Sequence, residues 1–211
     1  ERDLQWLAES GYESVLPREL AAGEPLPEKP VLITFDDGYR SNYDLAYPLL
    51  QKYQTKAAIA VMAYMQDNPG GNFLTWDMCR EMTASGLVEI GSHGYAIHNL
   101  DGRMGNFVPG QANGVQRRKG ESGSDFYCRV LDDLRYSFDR IAQETGAPPT
   151  FFAYPFGKTD PDADAYLEGL FPLTVVTGPG KYAANLSKGL HQLPRFTVTM
   201  ERSLAALLKN T

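Results

Sequence analysis

Apolar residues recur at Leu4, Leu7 and Ala8, one face of a short helix that stops at Gly11. A proline-rich connector from Pro17 to Pro30 follows, so residues 1–30 read as an opening helix and a lead-in. The next run, Val31-Leu32-Ile33-Thr34-Phe35, is apolar and β-branched without alternation. That is the pattern of a strand buried on both faces.

From there the period switches repeatedly between helix and strand. Helical spacing over 43–53 leads to a strand at 57–62, a helix at 76–84 capped by Thr75, and a strand at 87–91. An amphipathic segment over 125–145 ends at Gly146 and is closed off by Pro148-Pro149. Strands are expected at 151–154, 173–176 and 192–198, with helices at 160–169 and 203–209. Strands separated by helices predict an α/β fold, in a barrel or an open sheet, whose parallel strands open their sites at their carboxyl ends. Residues 99–123, rich in Gly, Asn and Gln, break the alternation and read as a polar insertion loop.

Composition narrows the field. The 211 residues suit one domain with one buried core. A net charge of −6 disfavours nucleic acid as partner, because phosphate binding needs clustered positive charge. The one compact basic cluster, Arg117-Arg118-Lys119, lies in the polar insertion and reads as a solvated loop. Two cysteines make no disulfide framework, and Cys79, among Trp76, Met78 and Met82, reads as a buried thiol. No run approaches 18 apolar residues, so no membrane insertion is expected. The chain opens in mid-helix pattern at Glu1, as a piece of a longer precursor would, and shows no signal-peptide pattern.

The candidate chemistry gathers at strand ends. In Thr34-Phe35-Asp36-Asp37-Gly38-Tyr39, adjacent carboxylates would diverge within a strand, but a turn at Gly38 can bring both to its mouth. Two acids there can divide the work, one binding a metal and the other taking a proton. Ser92-His93-Gly94-Tyr95-Ala96-Ile97-His98 carries two of the three histidines, five residues apart. On a helix that offset spans about 140°, so a bent loop is needed for both to face one point. Two imidazoles and a carboxylate are a familiar ligand set for a catalytic divalent ion. Zn²⁺ suits it first, and Co²⁺, Ni²⁺ or Fe²⁺ accept similar ligands. Taken singly, Asp-Asp-Gly is ordinary turn chemistry and the spaced histidines are incidental; their joint occurrence at two strand ends points to a site.

Two further segments are candidates. Phe151 to Gly157 runs a strand into a Pro-Phe-Gly turn able to aim a backbone N–H into the mouth. His191, the remaining histidine, precedes Leu193-Pro194-Arg195 and is a candidate general acid only if it reaches the site from another strand end. Exposed aromatics such as Tyr39, Tyr95 and Tyr154 offer faces for a sugar, with core packing as the alternative for each.

The motifs at 34–39 and 92–98, with weaker ones at Tyr154-Pro155-Phe156-Gly157 and Leu193-Pro194-Arg195, closely resemble those of polysaccharide deacetylases, also called carbohydrate esterase family 4 or NodB-homology domains. The resemblance implies an irregular (β/α) barrel with fewer than eight strands. It implies Asp36 as catalytic base, Asp37, His93 and His98 as metal ligands, and the Phe156 amide as oxyanion donor. It implies metal-dependent removal of N-acetyl groups from N-acetylglucosamine units of a polysaccharide. The Ser10-Gly11-Tyr12 helix end, the Leu26-Pro27 lead-in and the long insertion look most like the exopolysaccharide subgroup, which acts on poly-β-1,6-N-acetylglucosamine outside the cell or at its surface. Two departures bear on catalysis: Ala153 stands where many members have arginine, and 173–182 has no counterpart to their Asp-Trp motif.

Rival readings remain at this stage. A phosphoacceptor signalling domain needs a further Asp and a Lys at later strand ends, where this chain has Ser92-His93 and Tyr154-Pro155. A glycan-binding relative without turnover, or peptidoglycan or chitin oligomers as substrate, fit the same motifs.

Overall fold

The computed structural model of the chain describes residues 1–98, 114–177, 183–199 and 201–208. Helix α1 (Arg2–Glu9) buries Leu7, and the chain turns at Gly11. The lead-in is more ordered than its prolines suggest. It holds β1 (Glu13–Ser14), α2 (Pro17–Ala21) and β2 (Pro30–Val31), with β1 and β2 paired in parallel. Pro17 sits in the first turn of α2, where no N–H is required of it.

Six parallel strands make the main sheet in sequence order: β3 (Thr34–Phe35), β4 (Ala57–Val61), β5 (Val88–Ser92), β6 (Phe151–Ala153), β7 (Leu173–Thr177) and β8 (Leu193–Arg195). Between them run a π-helical turn at Asn42–Ala46 continuing into α3 (Tyr47–Tyr53), then α4 (Ala63–Asp67) and α5 (Trp76–Ala84). After β5 come α6 (Gly123–Phe126), a π-helical turn at Tyr127–Leu131 and α7 (Asp132–Thr145). Helices α8 (Pro161–Leu170) and α9 (Leu204–Leu208) complete the order. The sheet curls into the irregular (β/α) barrel, and among the described residues no ladder joins β3 to β8.

The inner strands are buried on both faces, which is why they read as unbroken apolar runs. Ala57, Ile59, Val61, Val88 and Ile90 pack outward on Leu50, Leu74, Met82 and Ile141, while Ala58, Ala60, Phe151, Leu173 and Val175 fill the interior. Phe151 lies over Gly91 so closely that a Cβ there would stand 2.2 Å from its ring, so only glycine fits. On the outer side beyond β6, Phe152, Tyr154, Phe126, Leu134 and Phe171 form a second packed layer.

The predicted strand at 31–35 is corrected in two respects. It is split between the two sheets, and its residues are half-buried, because β3 is an edge strand with β4 as its one partner. The strand expected at 192–198 is shorter: Gln192 adopts φ +55 and Pro194 lacks an N–H, both tolerable at an edge. The long helix over 125–145 is interrupted by its π-helical turn, although Gly146 ends it in the left-handed conformation as expected. Helix α4 was not foreseen. Of the polar insertion at 99–123, residues 99–113 lie outside the described residues, and 114–122 form turns ahead of α6. Cys79 is a buried free thiol whose pKa burial pushes up to about 12, and Cys128 is exposed.

Candidate active site

Strand parity sets the site. Leu32, Phe151, Leu173, Val175 and Leu193 point into the barrel, so residues two further along each strand do the same. At the carboxyl-end mouth these inward positions are Asp36, His93, Ala153, Thr177 and Arg195. Asp37 would point away, but it adopts φ +71 and Gly38 follows at φ +73. The two left-handed residues reverse the chain, and the neighbouring acids converge.

Asp37 Oδ1 lies 3.6 Å from His93 Nε2 and 3.7 Å from His98 Nε2. These separations are too long for hydrogen bonds. They match donors sharing one ion, since two ligands about 2.0–2.2 Å from a tetrahedral metal stand roughly 3.3–3.6 Å apart. Asp37 Oδ1 is buried and accepts no hydrogen bond from the protein. That orphaned oxygen and the two convergent ring nitrogens fit a divalent cation, and all three donor atoms lie within 4.8 Å of one another.

The electrostatics agree. Burial raises the Asp37 pKa, with His93 opposing and Asp36 adding to the rise, so its carboxylate is poorly compensated by the protein alone. Burial, reinforced by His93, pushes His98 down to about 4, leaving the neutral imidazole that a metal requires. His93 Nδ1 is 2.6 Å from the Ala153 carbonyl. Nδ1–H donating there leaves the Nε2 lone pair facing Asp37.

Asp36 has a different partner. Burial raises its pKa, but the guanidinium of Arg195 outweighs it and holds the carboxyl below its usual range. Arg195 donates from Nη1 to Oδ1 at 2.7 Å and from Nη2 to Oδ2 at 2.9 Å, a bidentate pair. The same guanidinium donates to Thr34 Oγ1 at 2.9 Å and Thr177 Oγ1 at 3.1 Å. Ala153 carries no charge, so the cation facing the acid arrives from β8 instead of β6. The Leu193-Pro194-Arg195 motif was visible in the sequence; the partnership of Arg195 with Asp36 was not.

The loop between the histidines is held by two side chains that sequence reasoning missed. Asp133 accepts the Tyr95 N–H at Oδ1 and the Ala96 N–H at Oδ2, each at 2.7 Å. One turn along α7, Ser137 bonds Ser92 Oγ at 2.7 Å, and Ser92 Oγ accepts the Gly94 N–H at 3.0 Å. Helix α7 thereby sets the bend that brings residues five apart to one point. A fully buried serine within the apolar stripe of α7, between Leu134 and Ile141, was the available signal.

The Pro-Phe-Gly turn is also at the mouth. Phe156 adopts φ +58, and its ring stacks on His98 with centroids 4.4 Å apart. His191 is not brought to the site: it precedes β8, four residues before Arg195, toward the strand's opposite end. Of the aromatics, Tyr154 is core, donating to Asp164 at 2.9 Å, and Tyr95 is half-buried, donating to Asp67 at 3.2 Å. Tyr39 alone of the three is exposed.

Comparison with known proteins bears on this arrangement. The family model described as polysaccharide deacetylase matches residues 23–170. The poly-beta-1,6-N-acetyl-D-glucosamine N-deacetylase of Escherichia coli K12 is 29% identical over 177 residues, covering 74% of this chain. The chain spans 26% of the length of that relative. Among solved structures, a de-N-acetylase from Aggregatibacter actinomycetemcomitans superposes with a TM-score of 0.81 at 26% identity, covering 98% of this chain and 86% of the other. The BpsB deacetylase domain from Bordetella bronchiseptica superposes with a TM-score of 0.72 at 27% identity, covering 90% and 81%.

Proposed function

The chain belongs to the polysaccharide deacetylase family, and from that premise we propose that it hydrolyses N-acetyl groups of N-acetylglucosamine units in a polysaccharide. The substrate we assign is poly-β-1,6-N-acetylglucosamine, on the strength of the Escherichia coli relative's name. A substrate of that kind places the work outside the cell or at its surface. The observation that carries the reading is the convergence of Asp37, His93 and His98 beside an Arg-paired Asp36.

Asp37, His93 and His98 would hold one divalent ion, Zn²⁺ first among the metals that accept this set. When bound, the ion supplies positive charge that acidifies water and polarises the acetamide carbonyl. Asp36, kept ionised by Arg195, receives the proton of the attacking water. Arg195 also fixes the carboxylate plane, so the base is aimed before substrate arrives. The Phe156 N–H, on the turn that stacks against His98, donates to the oxygen on which negative charge develops. The departing nitrogen needs a proton. With His191 before β8, toward the end opposite the site, Asp36 is the group placed to return the one it took, acting in both halves of the reaction.

The test is acetate release from a β-1,6-linked N-acetylglucosamine oligomer by chelated and metal-restored protein side by side. Release restored by metal and lost in Asp36→Asn supports the proposal. Equal traces from parent and Asp36→Asn, despite stoichiometric metal uptake, would replace it with a glycan-binding role. Release only from chitin or peptidoglycan fragments would change the substrate and keep the chemistry.

A further inference from the structure

Immediately after Asp36 and Asp37 the chain forms a short antiparallel ribbon with residues 72–74. Leu74 N–H donates to the Gly38 carbonyl and Arg40 N–H to the Asn72 carbonyl, each at 2.9 Å, with Tyr39 bridged to Phe73. The Tyr39 ring stacks on Phe73 with centroids 5.0 Å apart and planes within 19°. Phe73 is buried, whereas Tyr39 is 44% exposed and nearby Leu45 is 69% exposed. The outer face of Tyr39 is thus a flat apolar plate whose position is fixed from below.

The plate belongs to a shallow cavity of roughly 470 Å³ that also takes in Arg40, Asp44 and Asn72. A second cavity of roughly 760 Å³ contains Asp36 and Arg195 and shares Ser41 and Leu45 with the first. Those shared residues make the two cavities neighbours and set the plate beside the one that holds the base. We infer that the Tyr39 and Phe73 plate, with Leu45, is a subsite for the N-acetylglucosamine unit flanking the one that is deacetylated.

The chemistry suits that ligand. A β-linked glucosamine ring carries its substituents equatorially, so its axial C–H bonds form an apolar face that covers an aromatic ring. Its hydroxyl and amide groups, spread around the rim, meet Arg40, Asp44 and Asn72; the first two are paired at 3.0 Å and already oriented. The cavity is within the roughly 300–1,000 Å³ of small-ligand sites. Because the ribbon holds Tyr39 in place, binding forfeits little conformational freedom. Only Gly38 separates Tyr39 from Asp37, so the plate stands next to a proposed metal ligand.

This inference rests on the deacetylase reading, and its test separates the two. The metal-loaded chain is assayed for kcat/KM on a β-1,6-linked N-acetylglucosamine pentamer and on an aryl acetate, which has an acetyl group and no sugar. Tyr39→Ala is expected to lose about threefold to tenfold more on the pentamer than on the aryl acetate, with Tyr39→Phe close to the parent. Leu45→Arg, at an exposed position, is expected to show the same selective loss and serves if Tyr39→Ala does not fold. Equal losses on both substrates, or no loss on the pentamer, overturn the subsite. A parent that releases no acetate from any glycan refutes the enzymatic reading alone. The subsite is then decided by calorimetric titration of the pentamer, where identical affinity for parent and Tyr39→Ala overturns it.

Discussion

Arg195, on the last strand of the sheet, grips Asp36, just past the first strand, through two hydrogen bonds of 2.7 and 2.9 Å across a gap that no β-ladder closes among the described residues. The pair stands beside the proposed ligands without including one of them, so substitution can separate base function from metal binding.

Arg195→Ala is therefore expected to lower kcat/KM by about 10–100-fold while metal uptake stays stoichiometric. The acid limb of its pH profile should move to higher pH. Arg195 holds the Asp36 pKa down, so removing it lets the carboxyl protonate, and idle as a base, where the parent is still ionised. A pH series of acetate release with metal analysis on the same samples checks both statements.

Metal should stabilise the folded chain through Asp37, His93 and His98. At a free ion concentration about 100 times Kd the gain is about 2.7 kcal/mol, visible as a rise in Tm on adding Zn²⁺ to chelated protein. Asp37→Ala and His98→Ala should abolish that rise, and an unchanged rise in both would remove the ion from this site.

Asp133 supplies a stability prediction with a definite sign. Burial pushes its pKa up to about 7, against the opposing N–H bonds from Ala96 and Tyr95. The unfolded chain ionises this group first, so its contribution is full below the ordinary carboxylate range and is lost as pH rises toward 7. In metal-free protein, the Tm advantage of the parent over Asp133→Asn should shrink between about pH 4 and 7. An advantage that grows over that interval contradicts the assignment.

Gly38→Ala should cost at least about 2 kcal/mol and loosen metal binding. A Cβ there would lie 2.7 Å from Gln66 Nε2 and 2.9 Å from Val61 Cγ1, at φ +73. Chemical denaturation with a metal titration reads both effects, and a neutral result would show that the Asp37 turn tolerates a side chain.

The two metal-type motifs were legible because their chemistry is local: an Asp pair before a glycine and two spaced histidines remain visible without a fold. The inner strands were legible because burial on both faces leaves unbroken apolar runs, as at 57–61. What escaped depends on distant pairing. Nothing around Asp133 announces that its carboxylate holds Tyr95 and Ala96, 38 and 37 residues earlier. Arg195 and Asp36 are 159 residues apart, and only the curl of the sheet makes them partners. His191 misled because a histidine near a strand invites a catalytic role, whereas strand direction sends it to the other end. The stretch 31–35 was read as one interior strand because apolar content does not tell how many neighbours a strand has.

The clasp between Arg195 and Asp36 also has a meaning in the order of synthesis. All three proposed metal ligands are made by residue 98 and the α7 side chains that bend their loop by residue 137, while the guanidinium that steadies the base comes 97 residues after His98. A chain ending before β8 would carry every proposed ligand and still leave Asp36 without its counter-charge. Turnover then depends on the last strand, whereas the proposed ligands and the groups that hold their loop, Asp133, Ser137 and Ala153, all precede it.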